Sequence, residues 1–133
     1  MPQQFAPTIN EERGIGGSQN FGADKFAPSI SNLSGDYILR GNIQRVGKIL
    51  HFAILIEADG GSFTTASSVF TPPVNPYKRT VNAVADTPVF KGYAYQMGAA
   101  NTFIPQNNDG TFTLANETRT GVNTWITGYY WVE

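Results

Sequence analysis

Few residues in this chain have the means to do chemistry. His51 is its one histidine, and cysteine is absent. A nucleophile–base–acid set would have to run through His51, which stands mid-strand in an apolar stretch, the place of a packed or interfacial side chain. Glu57 and Asp59 form a carboxylate pair that could serve acid–base work on a glycosidic bond. They lie at a strand end, where solvated acids usually sit. No cluster of carboxylates around the histidine has the spacing of a metal site. Gly41-Asn42-Ile43-Gln44-Arg45-Val46-Gly47-Lys48-Ile49 looks superficially like a phosphate loop. It has one residue too many between its glycines, and Ile49 stands where Ser or Thr would ligate magnesium. Gly14-Ile15-Gly16 lacks a third glycine and a preceding strand, so it is no dinucleotide fingerprint. Neither an enzymatic activity nor a cofactor or metal is expected.

What remains is surface for binding. Tyr77, Tyr93, Tyr95, Tyr129, Tyr130 and Trp131 offer flat faces that are apolar in the middle and polar at the tip. Such faces stack on sugar rings and anchor protein interfaces. Tyr77, Tyr93 and Tyr95, with Asn107 and Asn108, are the candidates for contact with a receptor. The loops 70–79, 97–101 and 105–110 are the favoured places for a ligand, because loops carry function on a rigid scaffold.

These residues need a scaffold, and Tyr37–Glu57 supplies its centre. Leu50, Phe52, Ile54 and Ile56 recur with period 2, which puts four large apolar side chains on one face of a strand. Burying each is worth roughly 1.5–3 kcal/mol, so this face looks into a core. The opposite face, with Ile49, His51, Ala53, Leu55 and Glu57, is mixed rather than cleanly polar. The last strand, Thr124–Val132, carries bulk on both faces as well. A second sheet or a second subunit would cover such faces, and His51, Leu55, Tyr129 and Trp131 are the subunit-interface candidates.

The other strands follow from turn chemistry. Val46-Gly47-Lys48 closes the first hairpin. Ser34-Gly35-Asp36 reads as a turn into the first strand, and Ala58-Asp59-Gly60-Gly61 as the end of the second. Ser62–Val69, Thr80–Ala85, Val89–Gln96, Thr102–Ile104 and Thr111–Ala115 read as strands. Pro72, Pro73 and Pro76 make 70–79 a loop, and Asn116–Asn123 is a polar loop. Nothing in the chain has a helical period. The expected fold is all-β: an antiparallel β-sandwich, jelly-roll-like, over residues 34–133.

Residues 1–33 form an expected extended N-terminal arm, rich in glycine and without periodicity. Within it Gln4-Phe5-Ala6-Pro7-Thr8-Ile9-Asn10 returns as Lys25-Phe26-Ala27-Pro28-Ser29-Ile30-Ser31. Each copy sets a Phe and an Ile four residues apart around a proline, which lowers the entropy lost when an extended peptide docks. Phe5, Pro7 and Ile9, then Phe26, Pro28 and Ile30, are read as two anchors for another protein.

Composition narrows the partners. Charged residues are 14% of the 133 and net charge is −1, with no Lys/Arg cluster, which argues against nucleic acid. The longest apolar run is too short to span a bilayer, so no membrane insertion is expected. The N-terminus has neither the basic nor the apolar region of a secretory signal, and the triplets Asn32-Leu33-Ser34 and Asn116-Glu117-Thr118 are read as chance matches to glycosylation acceptors. The lack of cysteine fits assembly in a reducing cytoplasm.

The run Gly41-Asn42-Ile43-Gln44-Arg45-Val46-Gly47-Lys48, then Phe70-Thr71-Pro72-Pro73, Asp109-Gly110-Thr111 and Ile126-Thr127-Gly128-Tyr129-Tyr130, resembles the small β-sandwich heads of bacteriophage fibre and receptor-binding proteins. The likeness covers about the last hundred residues and lies in strand and turn signals. It implies a virion protein, assembled in the host cytoplasm as a homotrimer. The arm would hold it to another virion protein, and the head would bind a host-surface saccharide or protein. Two other readings stay open: a capsid decoration or head-fibre protein without a receptor, and a free carbohydrate-binding module with an aromatic row on an exposed sheet.

Overall fold

The period-2 run forms the centre of the sheet. In the computed structural model, which describes residues 24–81 and 84–133, Asp24–Phe26 (β1) lies against Ser29–Val46 (β2), and β2 pairs with Ile49–Thr71 (β3) in one long hairpin. Lys78–Val81 (β4) and Val84–Pro88 (β5) make a separate two-stranded ribbon. Tyr93–Met97 (β6), Asn101–Pro105 (β7), Phe112–Thr113 (β8), Glu117–Thr120 (β9) and Thr124–Trp131 (β10) complete the chain. The main sheet runs β1-β2-β3-β10-β6-β7, with β8 and β9 also on β3. Every pairing is antiparallel.

β3 cannot be straight. Phe52 and Phe70 are eighteen residues apart on it, which a straight strand would convert into about 60 Å. Their ring centroids are 5.0 Å apart. The strand therefore folds back, and the corner is visible in the register. Tyr37 pairs with Ala58 and Gly35 with Phe63, so Asp36 alone on β2 stands against residues 59–62 of β3. Such bulges bend a strand and sharpen its twist. Gly35 makes the close approach possible: its φ is +105°, and a Cβ there would lie 2.2 Å from the Ser62 carbonyl oxygen.

The two halves of the folded hairpin enclose the core. Ile49–Ile56 pairs with β10, which passes the sheet on to β6 and β7; beyond the corner, Ser62–Thr65 pairs with β9 and Val69–Phe70 with β8. Leu50, Phe52, Ile54 and Ile56 are buried, as their alternation predicts, and meet Phe63, Phe70, Phe112, Leu114, Ile126 and Tyr130. Phe52 is central, with ring centroids 5.4 Å from Phe112 and 6.3 Å from Tyr130. Gly128 lies opposite it on β10 and leaves the space it needs, since a Cβ there would sit 2.7 Å from the Phe52 ring. The all-β antiparallel class is as expected, and the two facing halves are consistent with a sandwich.

Several boundaries differ from the sequence expectation. The arm boundary at residue 33 falls inside β2, and residues 24–33 are strands of the sheet. The turn expected at 34–36 and the strand end at 58–61 are opposite sides of the corner, through which both strands continue. The single strand expected over 80–85 is a ribbon of two. Part of the expected 116–123 loop is β9, held on β3 by backbone pairing and by Thr64–Thr118 and Ser62–Thr120 hydroxyl contacts of 3.0 and 2.7 Å.

Candidate functional site

The outer face of the first layer is built by strand alternation alone. Residues one place off the buried set point away from the core. Register then lines them up in rows across the sheet. One row runs Gln44, His51, Tyr129, Tyr93, Pro105; the next Asn42, Ala53, Thr127, Tyr95, Phe103; the third Arg40, Leu55, Trp125, Met97, Asn101. Side chains so opposed are within contact range of one another. Tyr93 stacks on Phe103 at 5.0 Å and 22°, and Tyr129 bridges Tyr93 and His51 at 6.3 and 6.2 Å.

This face is aromatic and open. Phe103 is 63% exposed and Trp125 49%, with Tyr93, Tyr95 and Met97 each above a third. Charges in these rows and beside them are few, and Arg40 and Glu57 pair with one another, Glu57 Oε1 accepting from Arg40 Nε at 3.0 Å. Aromatic and Met enrichment with few charges is the composition of an interface core, and a contiguous apolar patch on a soluble domain marks a contact surface.

The structure thus gathers residues that the sequence divides into two sets. The receptor candidates Tyr93 and Tyr95 share one face with the interface candidates His51, Leu55 and Tyr129, and they are on a strand, not on loops. His51 is exposed beside Tyr129 rather than packed away. Trp131 and the receptor candidate Tyr77 lie at the rim, together with Phe90, whose ring is 4.9 Å from that of Trp131. Sequence reasoning missed Phe103, Trp125 and Met97 as members of this face. Trp125 alternates with Tyr129 on an expected strand and Phe103 is central in another, which is the signal that could have found them; Met97 stands one residue past the expected end of its strand, in what reads as a loop.

Other candidates have structural duties. Asn107 Nδ2 donates to Thr111 and Thr113 hydroxyls at 3.1 and 2.9 Å, which ties the residue into its own turn. Asn108 Oδ1 accepts from Lys91 Nζ at 2.7 Å. In the same turn Thr111 donates its hydroxyl and its N–H to Asp109, and these bonds, with Lys78 nearby, hold the Asp109 carboxyl below its usual pKa. Phe26 and Ile30 pack against the core and Pro28 is buried, so this copy of the repeat belongs to the folded sheet and not to a free arm. Phe5, Pro7 and Ile9 lie outside the described residues. Glu57, one half of the carboxylate pair, is held by Arg40. Among the described residues no group of three or more His, Asp or Glu is placed to hold a metal ion.

The chain matches no protein-family model, no curated protein and no solved structure.

Proposed function

We propose that this chain is a non-catalytic virion protein of a phage: a fibre or spike head that joins two further copies of itself through the aromatic sheet face and attaches the particle to a host surface. The observation that carries the assembly is that face. Strands β6, β7 and β10 present Tyr93, Tyr95, Met97, Phe103 and Trp125 in adjoining rows with few charges among them, and copies of such a sparsely charged patch can meet without strong like-charge repulsion. The sequence resemblance to trimeric fibre heads supplies the number of copies and the setting.

A free carbohydrate-binding module is the second reading, favoured by the same exposed aromatic row. In that reading the face holds sugar and the chain is a monomer. The attachment role is tested by incubating fluorescently labelled full chain with a panel of bacterial strains and counting labelled cells. Saturable labelling of at least one strain, competed by unlabelled chain, is expected. A trimer that labels no strain would contradict the receptor role and leave a decoration protein.

A further inference from the structure

At the rim of the sheet, beside the β2–β3 turn, Lys48, Tyr77, Phe90, Trp131, Val132 and Glu133 line a cavity of about 420 Å³. That volume lies within the range of small-molecule sites, roughly 300–1,000 Å³. From its chemistry we infer that this cavity is a binding site for one neutral pyranose unit of a surface glycan. The inference rests on the attachment role proposed above and gives it a location.

Three features of the cavity argue for a sugar. First, its walls are rings. Phe90 and Trp131 pack on one another, ring centroids 4.9 Å apart at 45°, so together they make one angled aromatic wall, and Tyr77 lines the cavity as well. The CH face of a pyranose is apolar and stacks on such rings. Second, the polar groups are of opposite sign. The Lys48 ammonium donates, the Glu133 carboxylate accepts, and the Tyr77 hydroxyl does both. An anionic or cationic ligand would meet one group of its own sign, and a hydrocarbon would desolvate both without replacing their hydrogen bonds. A neutral polyol satisfies each of them.

Third, the walls are held in place before any ligand arrives. Tyr77 N donates to Trp131 O at 2.9 Å, Val89 N to Tyr77 O at 3.0 Å, and Val132 N to Lys48 O at 2.9 Å. These bonds fix the loop that carries Tyr77, the segment before Phe90 and the end of β10 to one another. A preformed site loses little entropy on binding. Tyr77 and Phe90 remain 38% and 52% exposed, so a glycan can enter from solvent.

The test is ligand-observed saturation-transfer NMR on the full chain. The probes are methyl glycosides of glucose, galactose and mannose and of their N-acetylamino forms. At least one probe should bind saturably through its ring CH protons. Tyr77→Ala and Lys48→Met should each weaken that binding about tenfold, the size of one lost stacking or hydrogen-bonding partner. Lys48 is exposed at a turn, so its variant keeps the fold even if Tyr77→Ala does not, and circular dichroism checks both. No saturable binding by any probe would overturn the inference, as would binding that both folded variants leave unchanged. Light scattering on the same samples separates the two proposals. Sugar binding by a monomer contradicts the trimer and not the pocket, and a trimer without sugar binding contradicts the pocket alone.

Discussion

Phe52 and Phe70 belong to the same strand, and their ring centroids are 5.0 Å apart. That contact is the join between the two halves of the folded β2–β3 hairpin. Phe70 is fully buried against Phe52, Phe112 and Phe26. Phe70→Ala should cost about 3–5 kcal/mol in urea unfolding. Phe103→Ala removes an equal ring from the exposed face and should change the stability of the single chain by less than about 1 kcal/mol.

The corner itself gives a second prediction. Gly35 and Gly60 both have positive φ, but a Cβ at Gly35 meets Ser62 O at 2.2 Å whereas one at Gly60 meets nothing. Gly60→Ala should cost only the strain of its backbone, about 1 kcal/mol. Gly35→Ala should cost clearly more, because the two strands must also part. Thermal melts of the two variants, run side by side, check the order.

The hairpin and its inward face were legible because period 2 and a Gly-Lys turn are local signals. The corner was not. Ser34-Gly35-Asp36 and Asp59-Gly60-Gly61 each have turn chemistry, and only the register shows that they stand opposite one another inside continuous strands. Residues 24–33 read as arm because they continue a glycine-rich stretch without periodicity; the pairing of Phe26 with Gly41 is long-range and leaves no local mark. The outer face was half legible. Bulk on both sides of β10 was plain, but its continuation through Tyr95 to Phe103 depends on strand order, which alternation does not encode. The rim cavity joins segments from four parts of the chain, and only Tyr77 and Trp131 among its rings were singled out.

Buried glutamines were also invisible to pattern. Gln96 is fully buried, donates from Nε2 to Ala115 O at 3.1 Å and accepts from Ala115 N at 2.8 Å, so it clamps the approach to β9 onto β6. Gln96→Leu keeps the volume and leaves the Ala115 N–H without its partner. A loss of about 1–3 kcal/mol is expected. Faster amide hydrogen exchange at Ala115 should accompany it.

Tyr130 makes stability depend on alkaline pH. Burial pushes its phenol up from its ordinary 10.0 to about 12, against the opposing pull of the Val74 hydrogen bond. Its hydroxyl donates to Val74 O at 2.8 Å and accepts from Val74 N at 3.1 Å. Below about pH 10 the phenol is neutral in both the folded and the unfolded chain. Between about 10 and 12 the unfolded chain loses the proton and the folded one keeps it, so stability falls as pH rises through that window. Tyr130→Phe should be less stable at neutral pH, through the lost Val74 bonds, and should show a smaller decline from pH 10 to 12. Equilibrium unfolding at stepped pH reads both effects.

The proposed trimer forms through the aromatic sheet face. Its most direct test is the solution mass of the full chain and of a Tyr95→Lys, Phe103→Lys double variant, by light scattering after gel filtration. Both substitutions are at exposed positions on the face, so the folded chain should tolerate them. Three times the 14.5 kDa chain mass is expected for the native protein and a single chain mass for the variant. A native protein that runs as one chain, or a trimer that the two lysines leave intact, would contradict it.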